Sequence, residues 1–284
     1  MRNNLIFRKT IILNTIVWFC ITAILPNLFI ILAGFTEKNP ESILTFNFTL
    51  ENFFEAFSPL LIKIYLNSFM IGITTVLICI LLGYPFAYYI YKENNKIIKY
   101  TLLFAVIIPF WTSSLIRTYA IILILKFNGV LNSLLLSIGI IESPLDMLYS
   151  SGAVVFGFVY TLIPFMIIPI YLSLRKINAD YLEVAKDLGA SRIQIFFRII
   201  LPLSWNGIAT GSSVVLLSSF GMFYLSDLLG GSKNMLIGNI IRNQFLLNNH
   251  WNLGSAISII LYIVGSIWII AQKEKYKPDF QFVK

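Results

Sequence analysis

The sequence is short of charge. Lys, Arg, Asp and Glu make up 12% of its 284 residues, about half the share of a soluble domain. Histidine occurs once, at His250, and cysteine twice, at Cys20 and Cys79. A single histidine without cysteine or histidine neighbours builds no metal site. Two lone thiols inside apolar runs read as small hydrophobes rather than as a disulfide. Without clustered acids around that histidine there is no catalytic constellation, which argues against an enzyme. The chain also lacks a Gly-x-x-x-x-Gly-Lys-Ser/Thr loop, so it cannot cradle nucleotide phosphates itself. Gly230-Gly231-Ser232-Lys233 is a fragment of such a loop and reads as an ordinary turn.

What fills the chain instead is apolar. Hydrophobic residues are 58% of it, and mean hydropathy is +0.82. A core of this size cannot hide that much apolar surface, so lipid must be the solvent for much of it. The net charge of +8 lies between long apolar runs, as in membrane proteins, rather than on a water-facing patch that would bind nucleic acid.

Six runs approach the about 20 residues needed to span a bilayer: 11–34, 64–91, 100–125, 152–174, 206–228 and 253–271. The first is too long for a signal peptide and ends in no small-x-small site, so it reads as an uncleaved anchor. Val130 to Ile141 is too short to cross and is expected to be interfacial or re-entrant. With six spans, both termini share a side with the connections after spans two and four. That side carries fifteen of the 21 Lys and Arg residues, which places the termini in the cytoplasm under the positive-inside rule. Pro85, Pro109, Pro164 and Pro169 fall within spans, where neighbouring helices or a cavity can satisfy the freed carbonyls.

The cytoplasmic connection 178–202 reads as two short helices with a break. Tyr181, Leu182, Val184, Ala185 and Leu188 form an apolar stripe, opposed by Asp180, Glu183 and Asp187. Gly189 can take the left-handed conformation that ends a helix, and Ser191 is a good N-cap for the next, which runs to Pro202. Such a helix could lie on lipid headgroups or insert into a groove of a soluble protein. Its acidic polar face favours the protein, because helices on anionic lipid are rich in Lys and Arg there.

Glu183-x-Ala185, Gly189 six residues after the glutamate, and Ile199-x-Leu201-Pro202 resemble the EAA loop of ABC importer permeases. Val184 stands where that family usually has alanine. The resemblance implies an all-α integral membrane protein of six transmembrane helices with the type I (MetI-like) importer permease fold. It implies a single permease domain, residues 1–284, with the anchor span 11–34 and the core at 64–271. It further implies that Glu183, Ala185, Gly189, Ile199, Leu201 and Pro202 belong to a coupling helix docking on a cytoplasmic ATPase dimer. That partner would use ATP-Mg; this chain would bind no cofactor.

Ile108-Pro-Phe-Trp-Thr-Ser-Ser-Leu-Ile-Arg-Thr-Tyr119, Gly221-Met-Phe-Tyr-Leu-Ser-Asp-Leu-Leu-Gly-Gly231 and 234–245 are similar to spermidine/putrescine importer permeases, specifically their first permease subunit. What this implies is a bacterial inner membrane protein in a heterodimer with a second permease, served by an extracytoplasmic polyamine-binding protein. A flexible polycation suits aromatic faces and few carboxylates. Phe110, Trp111, Tyr119, Tyr160, Phe223 and Tyr224 supply faces, and Asp227 supplies a charge near the outer end of a span. Each aromatic could equally belong to an interfacial belt, and Asp227 could cap a helix. Arg117 would repel a cation, so it is expected to pair with an acid, either Asp227 or one on the partner permease. The alternatives are an ABC permease for an oxyanion, iron or an amino acid, or an ion-coupled carrier. A carrier would need more intramembrane acids or an internal repeat.

Overall fold

A computed structural model describes residues 2–38, 47–231 and 234–274. Among these residues the chain is mainly helical, its helices joined by turns and irregular connections, with one isolated bridge between Thr36 and Phe48. In order, the helices are α1 Arg2–Phe19, α2 Leu25–Gly34, α3 Glu51–Ala56, α4 Pro59–Lys92, α5 Lys96–Ile107, α6 Ser114–Leu125, α7 Val130–Ser137 and α8 Ser151–Leu174. They continue with α9 Ala179–Asp187, α10 Arg192–Ile195, α11 Leu201–Leu203, α12 Trp205–Gly221, α13 Phe223–Gly230, α14 Ile237–Leu246 and α15 Trp251–Glu274. A single π-turn, Cys20–Ile24, joins α1 to α2, and another, Phe196–Ile200, joins α10 to α11.

Among the described residues five stretches are long and apolar enough to cross a membrane, and a bent pair makes a sixth if it is one span. Four of the expected runs lie in Ile11–Gly34, Pro59–Lys92, Ser151–Leu174 and Trp251–Gln272. The third and fifth runs are broken. Residues 100–125 are interrupted by a 3-10 turn, Ile108–Trp111, because Pro109 has no N–H to continue the ladder. Ser114–Ser137 also has the length of a span. It would, however, hold Lys126 and Asn128 near its middle, at a cost of about 2.5–3.5 kcal/mol for the lysine. A crossing by α5 and α6 together leaves Lys96, Lys99 and Lys126 near its ends and α7 outside it, and has Arg117 in place of Lys126 as the charge inside it. In the fifth run the helix stops at Gly221, and Met222 (φ −85°, ψ 55°) separates α12 from α13. On the other side, α12 bends by 58° from Arg192–Leu203.

Two compact units are distinguished: the chain up to Lys63 with Ile240–Gly265, and Ile64–Asn239 with the chain from Ser266. In the first, the buried amides of Asn52 and Asn252 hold the end of α2. Asn52 donates to the carbonyls of Gly34 and Thr36, and Asn252 to those of Ala33 and Thr36. Trp251 meets Phe29 and Phe245 edge-on. His250 lies between α14 and α15. Burial, and then the nearby Lys38, push its pKa down against the pull of Glu55, so the ring is neutral at neutral pH.

The second unit is built on α8. Val154, Phe158, Leu162, Met166, Ile170 and Leu174 recur every four residues and are almost wholly buried, forming one helix face. Against it lies α12 with Gly207, Gly211 and Val215 at the same spacing. A Cβ on Gly207 would stand 2.6 Å from the Pro169 carbonyl oxygen and 2.8 Å from Ile170 Cα. Small residues four apart let two membrane helices approach this closely. Ser68 of α4 accepts a hydrogen bond from the Ile237 N–H at 2.8 Å, tying α14 to α4.

Candidate functional site

The connection 178–203 forms a stiff elbow. Asn178 caps α9 by accepting from the Asp180 N–H at 3.2 Å. The helix ends in a Schellman motif: the Ala190 N–H donates to the Ala185 carbonyl and the Gly189 N–H to the Lys186 carbonyl. Gly189 has φ +80° there, the left-handed conformation that its missing side chain permits. Ser191 then opens α10 with a capping box, its hydroxyl accepting from the Gln194 N–H while Gln194 Oε1 accepts from the Ser191 N–H. The helix expected to run to Pro202 continues through α11 to Leu203 before the bend.

The elbow's apolar stripe is not covered. Tyr181, Val184 and Leu188 are 52%, 57% and 82% exposed, whereas Ala185 is buried. Between α9 and the chain before α12 lies an open apolar groove of about 680 Å³. Tyr181, Val184, Ala185, Leu188, Ile199 and Pro202 line it, with Asp180 and Arg198 among its polar members. The structure thus brings Ala185, Ile199 and Pro202 of the expected coupling residues together. Glu183 is exposed beside the groove, Gly189 shapes the turn, and Leu201 does not line it.

Behind the elbow is a set of residues that the sequence reading did not single out. The Tyr84 hydroxyl is hydrogen-bonded to that of Ser204 at 2.9 Å, at the bend between α11 and α12. The Phe196 ring meets Tyr84 and Tyr88 edge-on, with centroids 5.7 and 5.6 Å away. These contacts join the elbow to α4. The signal available in the sequence was two tyrosines one turn apart at the end of the second span.

The expected path residues divide into two groups. The Phe110 ring packs on Phe165 at 5.1 Å, and the Arg117 guanidinium lies over it with Cζ 5.7 Å from the centroid. One turn before Arg117, Ser114 hydrogen-bonds the Tyr224 hydroxyl of α13. Asp227, one turn beyond Tyr224, accepts from the amide of the buried Asn239. Asn239 also donates to the Phe223 carbonyl and accepts from the Leu236 N–H. Phe165, Phe110, Arg117, Ser114, Tyr224 and Asp227 therefore follow one another along α8, the 3-10 turn, α6 and α13.

Trp111 packs instead on Phe104 and is 75% exposed. Tyr119 and Tyr160 are exposed, and among the described residues no ring contact joins either to the others. Of the two partners expected for Arg117, Asp227 is not the one: among the described residues no ion pair joins them, and Arg117 stacks on Phe110. Ser114, Phe165 and Asn239 lay beyond the sequence reading, because only the tertiary contact of α6 with α8 and α13 gives them a role. Ser232 and Lys233 of the glycine turn, and Lys275, Lys277 and Lys284 of the charge count, lie outside the described residues. So do the side chains of Arg2, Arg8, Lys9 and Lys273.

An uncovered elbow joins broken apolar helices long enough to cross a membrane, as in the membrane component of a transporter. The model of the family "binding-protein-dependent transport system inner membrane component" matches residues 79–274, and the chain belongs to that family. Among curated proteins, the spermidine/putrescine transport system permease protein PotB of Escherichia coli K12 is 42% identical over 259 residues, 91% of this chain and 94% of that protein. PotB of Salmonella typhimurium SL1344 is 42% identical over 270 residues, 95% and 94% of the two chains. PotB of Haemophilus influenzae is 42% identical over 264 residues, 93% and 92%. The fold is that of type I importer permeases. A chain of a bacterial alginate ABC transporter in complex with its alginate pentasaccharide-bound periplasmic protein superposes with TM-score 0.74 at 21% identity. It covers 96% of this chain and 94% of that one. A chain of the MetNI methionine ABC transporter superposes with TM-score 0.59 at 15% identity, covering 78% and 96%.

Proposed function

We propose that this chain is the permease subunit of an ATP-driven importer of spermidine or putrescine, lining the path together with a second permease. Its termini face the cytoplasm, an ATPase dimer docks on the elbow, and an extracytoplasmic binding protein delivers the polyamine. The observation that carries this reading is the exposed apolar stripe of Tyr181, Val184 and Leu188, backed by an elbow rigid enough to act as a lever. Relatives named as polyamine permeases, at 42% identity over nearly the whole chain, support the substrate class. With no phosphate-binding loop in its sequence, the chain draws on ATP hydrolysed by its partner.

Each part has a physical basis. An exposed apolar helix stripe is driven into a partner's groove by burial worth about 25 cal/mol per Å². In the strip from Phe165 to Tyr224 one face of Phe110 is taken by Arg117; the remaining ring faces can meet ammonium groups, where a cation–π contact is worth about 0.5–2 kcal/mol. Asp227 supplies one charge beside it.

Two measurements test the proposal. Uptake of radiolabelled spermidine by polyamine-auxotrophic cells expressing the four components should appear only when this chain is present. Uptake of another solute with none of polyamines would overturn the substrate. Val184→Asp, which sets a charge in the apolar stripe, should lower co-purification of the ATPase at least tenfold while the permease pair stays intact. Undiminished ATPase recovery would remove the docking role of α9.

A further inference from the structure

Among the described residues Arg117 of the path region meets no acid, and its guanidinium lies over the Phe110 ring. Where α5 and α6 together make the third crossing, Arg117 lies within the bilayer. Leu115, Ile116, Tyr119 and Leu123 are exposed, whereas Thr118, Ile121 and Leu125 are buried. Arg117 belongs with the second set: it is half-buried, its Nε is enclosed without a hydrogen-bond partner, and its guanidinium is directed over Phe110. It does not reach toward a lipid headgroup along the exposed row. The quadrupole of one phenyl ring answers part of the charge and none of the five N–H donors.

Among the described residues no acid supplies the rest. Apart from Asp227, every Asp and Glu of the sequence lies outside the six apolar runs. Asp227 takes the Asn239 amide, and no ion pair joins it to Arg117. The residue as a whole is only part-buried, so a second chain can reach it. A planar fork with unsatisfied donors fits a carboxylate in bidentate fashion. A bare cation beside a polycation's path would also oppose entry.

We propose that Arg117 forms an ion pair with an intramembrane carboxylate of the second permease subunit. The pair fixes how the two permeases meet and neutralises the path at Phe110. This rests on the reading of the chain as one of two permeases, but not on the identity of the solute.

The test uses the full complex, with this chain tagged and the second permease quantified after solubilisation. Arg117→Asp should lower recovery of the second permease at least tenfold, with the amount of this chain in the membrane unchanged. Arg117→Gln should fall between it and wild type, and Arg117→Lys, which keeps the charge but loses the fork, should fall least. Replacing the carboxylates within the second permease's apolar runs by Arg, one at a time, should restore recovery with Arg117→Asp at a single position to within twofold of wild type. The proposal is overturned if Arg117→Asp and Arg117→Gln both recover the second permease undiminished. It is equally overturned if no partner position restores it, or if the variants lose a tightly bound phospholipid instead. A complex that passes the charge exchange but carries another solute leaves the ion pair standing and removes the polyamine reading. One that imports spermidine but fails the exchange does the reverse.

Discussion

Gly189→Val is expected to cut ATP-driven uptake at least tenfold while the chain still inserts in the membrane. The residue holds φ +80°. A side chain in that conformation costs roughly 1–2 kcal/mol, and a β-branched one more. A Cβ at Gly189 would meet nothing within 4 Å, so the effect is conformational and confined to the turn. Without the left-handed residue, the two Schellman hydrogen bonds to Lys186 and Ala185 cannot both form. The capping box at Ser191 then starts α10 in another direction. The elbow becomes a hinge, and a push on α9 no longer reaches Phe196, Tyr84 and Ser204. Gly189→Asn should keep at least half of the uptake, because asparagine tolerates the left-handed region. Comparing the two variants separates backbone geometry from loss of the glycine as such. Wild-type uptake in Gly189→Val would show that the elbow is not a rigid lever.

Gly207→Val should act by a different route, through the stability of the bundle. A Cβ there meets the Pro169 carbonyl and Ile170 Cα, and neither backbone atom can rotate away. The contact forces α8 from α12 along the face where Met166 and Ile170 are wholly buried. Overpacking of this kind costs about 1–3 kcal/mol and sometimes more; a clash with backbone puts it at the upper end. The detergent-solubilised protein should lose several degrees of Tm and much of its yield. Gly221→Ala, where a Cβ meets nothing within 4 Å, should leave Tm nearly unchanged. Equal Tm for Gly207→Val and wild type would mean that α8 and α12 do not pack this closely in the membrane.

Both variants lie at glycines, yet only one of the two was legible beforehand. Gly189 stands between an amphipathic stripe and an N-cap serine, so its turn could be read from neighbouring residues. Gly207 sits in an apolar run without local punctuation, and its role depends on what faces it. The same contrast separates the breaks in the spans. Pro109 marks a lost N–H that sequence reveals, whereas the interruption at Met222 has no proline and follows from how α13 turns to pack beside Gly157 and Val154 of α8.

The amino-acid order by itself determined the solvent, the approximate number of crossings and the elbow with its caps. These depend on apolar run length, charge placement and hydrogen bonds between residues a few positions apart. Only the tertiary structure decided which aromatic residues share a strip, that Arg117 stacks on Phe110 rather than pairing with Asp227, and that Tyr84 and Ser204 brace the elbow. Those partners are separated by up to 120 positions, and in a bundle whose helices are apolar nearly all round, no local periodicity says which faces will meet.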